Sequence, residues 1–457
     1  MTTITVEMVA DIDNIDVYKV RGNEHYFKCP VCGKKALKCS YNPTKGKEYN
    51  GVTTGLWSCF ICGGGDAVDL HAKIHGWSYR EALDDLLGNQ HIADRPITRK
   101  EAPVIKTIEA KRADAKTVDR TYRDLLKISS LSEEHKADLL RRGFTEKMID
   151  LFGFKDAPTN GMQTARELAA MGDTLIGVPG FYNNSFALTV SGVKESGYFC
   201  PAYYPRQVSK EELFKEFLAA DGRLLCVKTK DDRYFTYDII GFQKRVDHPD
   251  DGNKYKWLSS SERRDGVSSG SPSTCLIGTT PHVVIITEGI LKATVTYSLL
   301  GGKYTVVGVP GVKSLGGLRR LMAEGFITKD DLIFEAFDMD KAPLTNEAFL
   351  TAFNNRKEKY RNMGLDAYRA HMEKKQRSIK TDADNLCEVV TNTIGAKIIP
   401  VKWDDTEDKK WYGNFKGIDD MLLNDGAVEG FHKYIAKKQK LYAESVTEKT
   451  ATMAVAR

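Results

Sequence analysis

Residues 283–340 alternate apolar strand-like runs with helix-like runs: VVIITEG (283–289), ILKATVTYSLL (290–300), YTVVGVPG (304–311), GLRRLMAEG (317–325) and DLIFEAFDMD (331–340). This alternation is typical of a parallel sheet whose strands are joined by helices. The segment therefore predicts an α/β domain. A later run, AKIIPVKW (396–403), predicts a further strand.

Carboxylates stand where two of these predicted strands end. Glu288 closes the first strand, and Asp338 and Asp340 close another about fifty residues later. Because side chains alternate along a strand, we expect Asp338 and Asp340 to point to the same side. If the two strands are neighbours, Glu288 joins them at the C-terminal edge of the sheet, where open α/β folds bind ligands. Clustered carboxylates need a counter-ion, and these favour Mg²⁺ or Mn²⁺ together with nucleotide phosphates.

The strand ending in EG (288–289), the turn GVPG (308–311) and the run DMD (338–340) together resemble the Toprim domain. Bacterial primases share that domain with topoisomerases and some nucleases. The run KGIDD (416–420) resembles the acidic stretch that closes the primase version. The resemblance implies that magnesium or manganese is bound by Glu288, Asp338, Asp340, Asp419 and Asp420.

Two positions depart from the primase motif. The family has Asp where this chain has Lys292, and Arg followed by Ala-Gly where it has Lys341 followed by Ala-Pro. One acidic group is therefore replaced, and the number of catalytic metals stays open. We place Lys292 in the catalytic site and Lys341 among the groups that bind DNA or nucleotide.

Four of the nine cysteines form two CxxC pairs, Cys29 with Cys32 and Cys59 with Cys62, separated by 26 residues. Each pair can present two thiolates from a tight turn, and four thiolates complete the tetrahedral coordination of zinc. Such a closed site has no position for water, so its zinc is structural. In a reducing compartment this pattern favours metal over disulfides. An iron–sulfur centre and four unrelated buried cysteines are the alternatives.

The runs GGGDAVDL (63–70) and GWSYREA (76–82) resemble the CHC2 zinc ribbon of bacterial replicative primases, over about residues 25–90. The family's first pair is usually Cys-Pro-x-His, and Cys32 replaces that histidine. The resemblance implies a ribbon that reads single-stranded template through basic and aromatic side chains. A solvated lysine-rich face is the alternative. The side chains available for reading are Lys28, Lys34, Lys35, Lys38, Tyr41, Lys45, Lys47, Trp57 and Phe60.

The runs GFQKRV (241–246) and KYKWLSS (254–260) are similar to the primase stretch that precedes Toprim. In that family this basic subdomain faces the template and the nucleotide. The resemblance implies that DNA or nucleotide is bound by Arg245, Lys254 and Tyr255. The stretch from Leu131 to Phe144 resembles a version common on mobile elements and phages, and within it Ser132 predicts a helix start and Gly143 a helix stop.

These patterns predict an α+β multidomain chain. We expect an antiparallel zinc ribbon at 1–90, a polar linker at 91–118, a mixed α/β basic subdomain at 119–275, the Toprim parallel sheet at 276–440 and a flexible tail at 441–457. The charged run at 345–395 predicts helix, and no role follows from its sequence.

The composition limits where nucleic acid can bind and where the protein acts. The net charge of the 457 residues is only +5, so a nucleic-acid site must come from local basic stretches. We find no apolar run of about 18 residues, which predicts no membrane span. The N-terminus lacks the basic and apolar regions of a secretory signal. We therefore expect a cytoplasmic protein of a bacterial cell or a phage-infected host.

Together the resemblances imply a DNA primase. It would synthesise short primers on single-stranded DNA from nucleoside triphosphates, by metal-dependent nucleotidyl transfer. A Toprim nuclease and a catalytically silent DNA-binding replication protein are the alternatives, and the Lys292 departure keeps the latter open. The chain has no G-x-x-x-x-G-K-[ST] motif, so a replicative helicase is expected as a partner in trans.

Overall fold

The computed structural model describes residues 2–13, 15, 17–21, 24–31, 33, 39–49, 52–59, 63–87, 110–184, 187–193, 195–220, 223–249, 253–261, 263–342, 346–356, 358–403 and 415–455. The chain forms two compact units, Met1–Ile108 and Glu109–Arg457.

The first unit is a small sheet with helices. Its elements are β1 (Thr2–Ile4), α1 (Val6–Ile12), β2 (Val17–Arg21), β3 (Glu24–Phe27), β4 (Cys39–Tyr49), β5 (Val52–Cys59), β6 (Gly63–Asp66), α2 (Ala67–His75) and α3 (Tyr79–Leu86). The strand order is β1-β5-β4-β3-β2, and β6 also pairs with β5. Strand β1 runs parallel to β5 while the other pairs are antiparallel. The expected antiparallel sheet therefore has one parallel strand, which carries the fully buried Ile4 into the core.

Both helices after β6 start with reciprocal capping. The Asp66 side chain accepts the N–H of Asp69, and the Asp69 carboxylate accepts the N–H of Asp66. Ser78 and Glu81 do the same for α3. Such boxes satisfy two of the backbone donors left free at a helix start. These four residues lie in the runs that resemble the CHC2 ribbon, so part of that likeness encodes helix initiation.

The second unit opens with helices and a sheet of long strands. Its elements to residue 257 are α4 (Ala115–Ile128), α5 (Glu133–Arg141), α6 (Glu146–Leu151), β7 (Lys155–Asp156), α7 (Gly161–Ala170), β8 (Phe181–Asn183), β9 (Leu188–Val190), β10 (Gly197–Val208), α8 (Lys210–Ala219), β11 (Cys226–Lys228), β12 (Tyr234–Val246) and β13 (Tyr255–Trp257). The sheet has the order β11-β12-β10-β7, with β13 on β12. Ser132 caps α5, and Gly143 follows that helix at φ +88°, so the predicted start and stop are confirmed.

A five-stranded sheet follows. Its elements are β14 (Thr274–Leu276), β15 (Val283–Glu288), α9 (Ile290–Leu299), β16 (Thr305–Val309), α10 (Gly316–Ala323), β17 (Leu332–Glu335), α11 (Asn346–Asn354), α12 (Leu365–Ile394), β18 (Lys397–Pro400), α13 (Ile418–Leu422) and α14 (Ala427–Val455), with short 3-10 helices at Met339–Lys341 and Glu358–Tyr360. The order is β14-β16-β15-β17-β18, and only the edge strand β14 is antiparallel. The chain leaves β15 for β16 on one side and then crosses to β17 on the other. The strand order therefore reverses at β15, between β16 and β17.

The mixed helix and sheet content fits the α+β class, but the second unit differs from the expected division. One hydrophobic core runs from Val118 to Ile435, across the predicted boundary at 275, and β14 itself spans that boundary. The expected linker ends earlier than 118, because Ala110 and Ala113 already bond to Gly266 and Gly177 and α4 begins at Ala115. Residues 441–455, expected as a flexible tail, continue α14.

Among the described residues, no helix combines the length and the apolar character that crossing a membrane requires.

Candidate metal and nucleotide site

Glu288 lies at the C-terminal end of the central strand of the five-stranded sheet. Strand β15 is buried up to Thr287, and Glu288 is half-buried. Gly289 then turns the chain into α9 at φ +89°, a conformation that side-chain-bearing residues rarely adopt. Its N–H donates to the carbonyl of Val309 at 2.7 Å, which ties the turn to β16. In the Glu-Gly pair, the glycine therefore allows the backbone turn, and the glutamate supplies the carboxylate.

Asp338 and Asp340 follow β17, the strand on the other side of β15. The strand ends at Glu335, and Asp338 directly precedes the 3-10 helix that contains Asp340. The sequence predicted that the two aspartates alternate along a strand. They instead lie beyond the end of β17, so that prediction is wrong. The Glu335 carboxylate accepts the N–H of Phe337 at 2.7 Å, which turns the chain away from the sheet. The turn, rather than strand alternation, orients both aspartates.

Asp419 reaches the same edge from the start of α13. It is buried, and its Oδ1 has no hydrogen-bond partner among the described residues. A side chain at Gly417 would collide with this oxygen and would come within 3.2 Å of the Lys292 ammonium. A side chain at 417 would therefore displace the Asp419 carboxylate or the end of the Lys292 side chain.

The carboxylates act on one another electrostatically. Burial, and then the negative charge of Asp338, raises the pKa of Glu288, against the opposing charges of Lys292 and Lys416. Burial also raises the pKa of Asp419, where Lys292 opposes it and Asp338 adds to it. Glu288, Asp338, Asp340 and Asp419 thus form one acidic cluster. Asp420 is exposed next to Asp419.

Three lysines enter this cluster. Lys292, in the first turn of α9, donates to Asp338. Lys416 lies 3.3 Å from Asp338 and 3.1 Å from Asp340. Lys375 donates to Asp340 at 2.8 Å. Burial alone would raise the pKa of Asp340, but its bond to Lys375 and the charge of Lys416 lower it.

Sequence reasoning assigned no role to Lys375 or Lys416. Lys416 stands in the quoted acidic run, three residues before Asp419, so its position was a usable signal. Lys375 lies in the charged segment 345–395, one lysine among many. No local pattern distinguishes it, because only the packing of α12 against the turn after β17 brings it to the site.

Lys341 does not take the place expected of a nucleotide-binding group. Its side chain is 6% exposed and its ammonium lies 2.7 Å from both carboxylate oxygens of Glu335, which is 1% exposed. A buried charge needs such a partner. The pair holds together the turn that carries Asp338 and Asp340. Lys341 therefore stabilises the backbone of the acidic cluster and does not face a nucleotide.

Arg245 lies on β12 and is held by Asp138. Its Nε donates to Oδ2 of Asp138 at 3.2 Å, and the same oxygen accepts from Arg142 at 3.0 Å and from the Tyr198 hydroxyl at 2.9 Å. Burial opposes ionisation of Asp138, yet the charge and hydrogen bond of Arg142, with the bonds from Arg141 and Tyr198, hold the pKa of its carboxyl far below the usual range. Three arginines, Arg141, Arg142 and Arg245, share this carboxylate, so positive charge remains beside it.

Tyr255 pairs with Arg245 across β12 and β13, and its ring is 40% exposed. Partial burial and neighbouring charges, Asp419 among them, raise the pKa of its hydroxyl. Asp419 is thus close enough to Tyr255 to act on its hydroxyl electrostatically. Lys254, the preceding residue, is exposed.

Of the predicted zinc ligands, Cys29 and Cys59 are buried in the first unit, while Cys32 and Cys62 lie outside the described residues. The glycines that follow the two pairs, Gly33 and Gly63, have φ of +67° and +82°. Cys59 ends β5 and pairs with Gly63 on β6.

Lys28 and Trp57 are the members of the expected template-reading surface whose side chains the structure describes. Lys28 is exposed. Trp57 is buried, with the Lys73 ammonium 5.1 Å from its ring centre, so it is not an open stacking platform. Outside the residues whose side chains are described lie Lys34, Lys35, Lys38, Tyr41, Lys45, Lys47 and Phe60.

The whole chain was compared with known proteins. No family model matches the sequence, and no curated protein matches it. Among solved structures, the Aquifex aeolicus primase (zinc-binding and RNA polymerase domains) is 15% identical, covering 84% of this chain and 90% of that one at a TM-score of 0.33. The RNA polymerase domain of Mycobacterium tuberculosis primase DnaG, in complex with a double-stranded DNA oligomer with a 6-nucleotide overhang, is 16% identical over 60% and 80% at a TM-score of 0.33. The DnaG primase catalytic domain bound to single-stranded DNA is 12% identical over 62% and 94% at 0.29.

Proposed function

We propose that the chain is a DNA primase of the bacterial and phage kind, in the version found on mobile elements. It builds short primers on single-stranded DNA from nucleoside triphosphates. In this proposal residues 1–90 are a zinc ribbon of the CHC2 type, residues 276–440 are the Toprim catalytic domain, and a replicative helicase acts in trans.

The acidic cluster at the reversal of strand order carries the proposal. Open α/β sheets bind ligands outside the carboxyl ends of their strands, where the order reverses. Glu288 ends β15, and Asp338 follows β17, its neighbour across that reversal. Asp419 adds a buried carboxylate oxygen that lacks a partner among the described residues. A buried carboxylate oxygen without a hydrogen bond is costly unless a cation compensates it, so this donor set fits a hard divalent ion.

Each acidic residue has a stated part in this proposal. Glu288, Asp338 and Asp340 would hold Mg²⁺ or Mn²⁺, with Asp419 and Asp420 beside them. When bound, the ion supplies charge stabilisation for the triphosphate and lowers the pKa of the attacking 3′-hydroxyl. The protein's own work is to hold oxygen ligands on a rigid sheet edge and to keep them partly out of water.

The lysines change partners in this proposal. The cluster has four carboxylates and three ammonium groups, so each ammonium offsets repulsion among the acids. A divalent ion needs the same oxygens, which leaves Lys292, Lys375 and Lys416 to pair with nucleotide phosphates at the same edge. Arg245, Lys254 and Tyr255 then border the path of the template on the neighbouring sheet.

Structural zinc at Cys29, Cys32, Cys59 and Cys62 is supported by the backbone around the pairs. Glycine at positive φ directly after each second cysteine lets the chain curl back toward its own thiolates. The N–H of Gly33 donates to the carbonyl of Cys29 at 2.9 Å, which closes the first turn. Two CxxC pairs would together supply the four thiolates of one tetrahedral ion.

One observation favours a second candidate. The ion pairs at Asp338 and Asp340 offset the charge of two of the four carboxylates without metal. A catalytically silent protein that binds DNA through Arg245 and Lys254 would use the same fold. The two candidates differ only in whether nucleotides are joined.

The deciding experiment incubates the full-length chain with circular single-stranded DNA, labelled nucleoside triphosphates and Mg²⁺ or Mn²⁺. We expect short labelled products from the wild type and from Asp330→Asn, an exposed change at the opposite edge of the sheet. Asp338→Asn should give none while it binds single-stranded DNA normally. Absence of products from the wild type under both metals would contradict the proposal, and shortened template would indicate a nuclease.

A further inference from the structure

Asp13, His71 and His75 form a second candidate metal centre in the first unit. His71 and His75 lie one turn apart on α2, so both rings occupy the same face of that helix. Asp13 caps the C-terminal end of α1. One ring nitrogen of each histidine and one carboxylate oxygen all lie within 4.8 Å of one another. Neither Cys29 nor Cys59, the two predicted zinc ligands that the structure describes, belongs to this cluster.

The contacts within the cluster converge on the Asp13 carboxylate. Its Oδ2 lies 2.8 Å from Nδ1 of His71, and its Oδ1 lies 2.7 Å from Nε2 of His75. The side chains of Asp13 and His71 are 3% and 1% exposed, while that of His75 is 20% exposed. Two donors are thus fixed by burial, and the third lies on the side open to solvent.

Asp85 gives His71 the support that metal-bound histidines usually have. Its Oδ2 lies 2.9 Å from Nε2 of His71, the nitrogen that faces away from His75 and Asp13. With an ion bound, this acceptor would hold the proton on Nε2, and the lone pair of Nδ1, which now contacts Asp13, would turn to the metal. Metal-ligating histidines almost always donate their other N–H to such a carboxylate, carbonyl or water.

Trp77 restrains the orientation of both rings. It stacks on His75 with centroids 4.4 Å apart and meets His71 edge-on at 5.4 Å. A ring that is held on one face by an aromatic neighbour has fewer rotations open to it. The donor atoms are therefore preorganised before any ion binds.

We propose that Asp13, His71 and His75 bind zinc, or a similar divalent transition-metal ion, with Asp85 as the supporting carboxylate. Zinc bonds of 2.0–2.1 Å at tetrahedral angles separate ligand atoms by about 3.3 Å. The two nitrogen–oxygen contacts, 2.8 and 2.7 Å, are shorter than that value, so the side chains must rotate slightly apart to admit the ion. Imidazole and carboxylate donors suit such an ion. A water molecule completes the coordination beside the exposed edge of His75.

The ion would fasten the N-terminal helix α1 to α2 and α3, since its ligands and their support come from all three. This role is independent of the proposed primase activity. It requires only that the first unit folds as described. Loss of the site and loss of primer synthesis are therefore separate results.

The test measures zinc in the purified full-length chain by elemental analysis, after dialysis against metal-free buffer. His75→Ala removes the solvent-side ligand, and Lys73→Ala, an exposed change on the same helix, is the matched control. We expect the wild type and Lys73→Ala to hold one more zinc per chain than His75→Ala, whatever the total. Equal zinc in all three proteins, each folded by circular dichroism, would overturn the site.

Two further measurements cover a variant that fails to fold. Asp85→Asn keeps all three ligands, and we expect chelator competition to show zinc affinity reduced by about 10- to 100-fold. Unchanged affinity would overturn the assignment. With Co²⁺ as the probe, an ion bound by histidine and aspartate absorbs without a thiolate charge-transfer band. We expect His75→Ala to lose this absorption and to keep any thiolate band. Loss of a thiolate band instead would show that the ion belongs to the cysteines.

Discussion

The ammonium of Lys375 lies 2.8 Å from Oδ2 of Asp340, although 35 residues separate them along the chain. Lys375 lies in the 30-residue helix α12, which occupies most of the charged segment at 345–395. Gln376, the next residue, donates to the carbonyl of Lys341 at 2.8 Å. The helix is therefore anchored to the turn that carries two of the acidic residues, and its lysine competes with any cation for Asp340.

Lys375→Ala should strengthen divalent binding. Removing the ammonium leaves Asp340 with Lys416 alone as a cationic neighbour, so an ion displaces one fewer charge. We expect the Mn²⁺ dissociation constant, measured by electron paramagnetic resonance, to fall several-fold. Lys374→Ala, an exposed change on the same helix, should leave it unaltered. Weaker Mn²⁺ binding in Lys375→Ala would mean that the lysine organises the site instead of competing for it.

The pair of Lys341 and Glu335 predicts a non-additive effect on stability. Lys341→Met strands a buried carboxylate and should lower the free energy of unfolding by about 3–5 kcal/mol. Adding Glu335→Gln removes that charge, while the amide oxygen can still accept the N–H of Phe337. Denaturant unfolding should therefore find the double variant more stable than Lys341→Met alone. Additive losses would show that the two side chains do not depend on each other.

The turn after β17 was not predicted from the sequence. The apolar runs correctly predicted strands β15, β16, β17 and β18, and Glu288 ends its strand as expected. Asp338 and Asp340 were placed on a strand because the apolar run continues to Phe337. The strand instead ends at Glu335, since the Glu335 side chain bonds the N–H of Phe337 and is held by Lys341. That contact joins residues six apart inside a buried turn, which strand periodicity does not encode.

The division into domains was limited for a related reason. The sequence pattern changes near residue 275, but the hydrophobic core continues across that position, because side chains from both sides of it pack together. Thr274, for example, donates to the carbonyl of Tyr203 on β10 while β14 pairs with β16. A boundary in sequence pattern therefore need not be a boundary in packing.

Lys254→Glu should weaken binding to single-stranded DNA. Lys254 is exposed beside Tyr255, whereas Arg245 is already engaged by Asp138, so Lys254 can be reversed with less harm to the fold. Each lost phosphate contact should reduce the slope of log K against log salt by about 0.7. Lys329→Glu, an exposed reversal near the start of β17, serves as the control. An identical slope in both variants would remove Lys254 from the binding surface.

His135 predicts a pH-dependent stability. Burial alone would lower its pKa, but the bonds to Asp156 at 2.6 Å and Asp247 at 3.0 Å, with their charges, raise it above the ordinary value of 6.5. The stabilisation is therefore complete below about 6.5 and is lost as the pH rises through the folded-state pKa. Between about pH 6 and pH 8, the free energy of unfolding should fall more for the wild type than for His135→Gln. Parallel curves would show that the pair of carboxylates does not favour the protonated ring.

Cys59→Ser should separate the start of a primer from its extension. Apparent folding free energy from a structural zinc site is about 10–16 kcal/mol in small peptides. The first unit has a small core, so loss of one thiolate ligand should unfold it. The second unit has its own extensive core and should remain folded. Cys226→Ser, in the second unit, controls for loss of a cysteine.

A zinc ribbon that positions the template matters most when no primer exists. Once a 3′-hydroxyl is paired to the template, the duplex itself supplies that position. We therefore expect Cys59→Ser to abolish initiation on bare single strands while extension of an annealed primer persists at a reduced rate. Product gels for the two substrates, run in parallel, measure the difference. Equal loss of both activities, with the second unit still folded by circular dichroism, would mean that the ribbon takes part in nucleotidyl transfer itself.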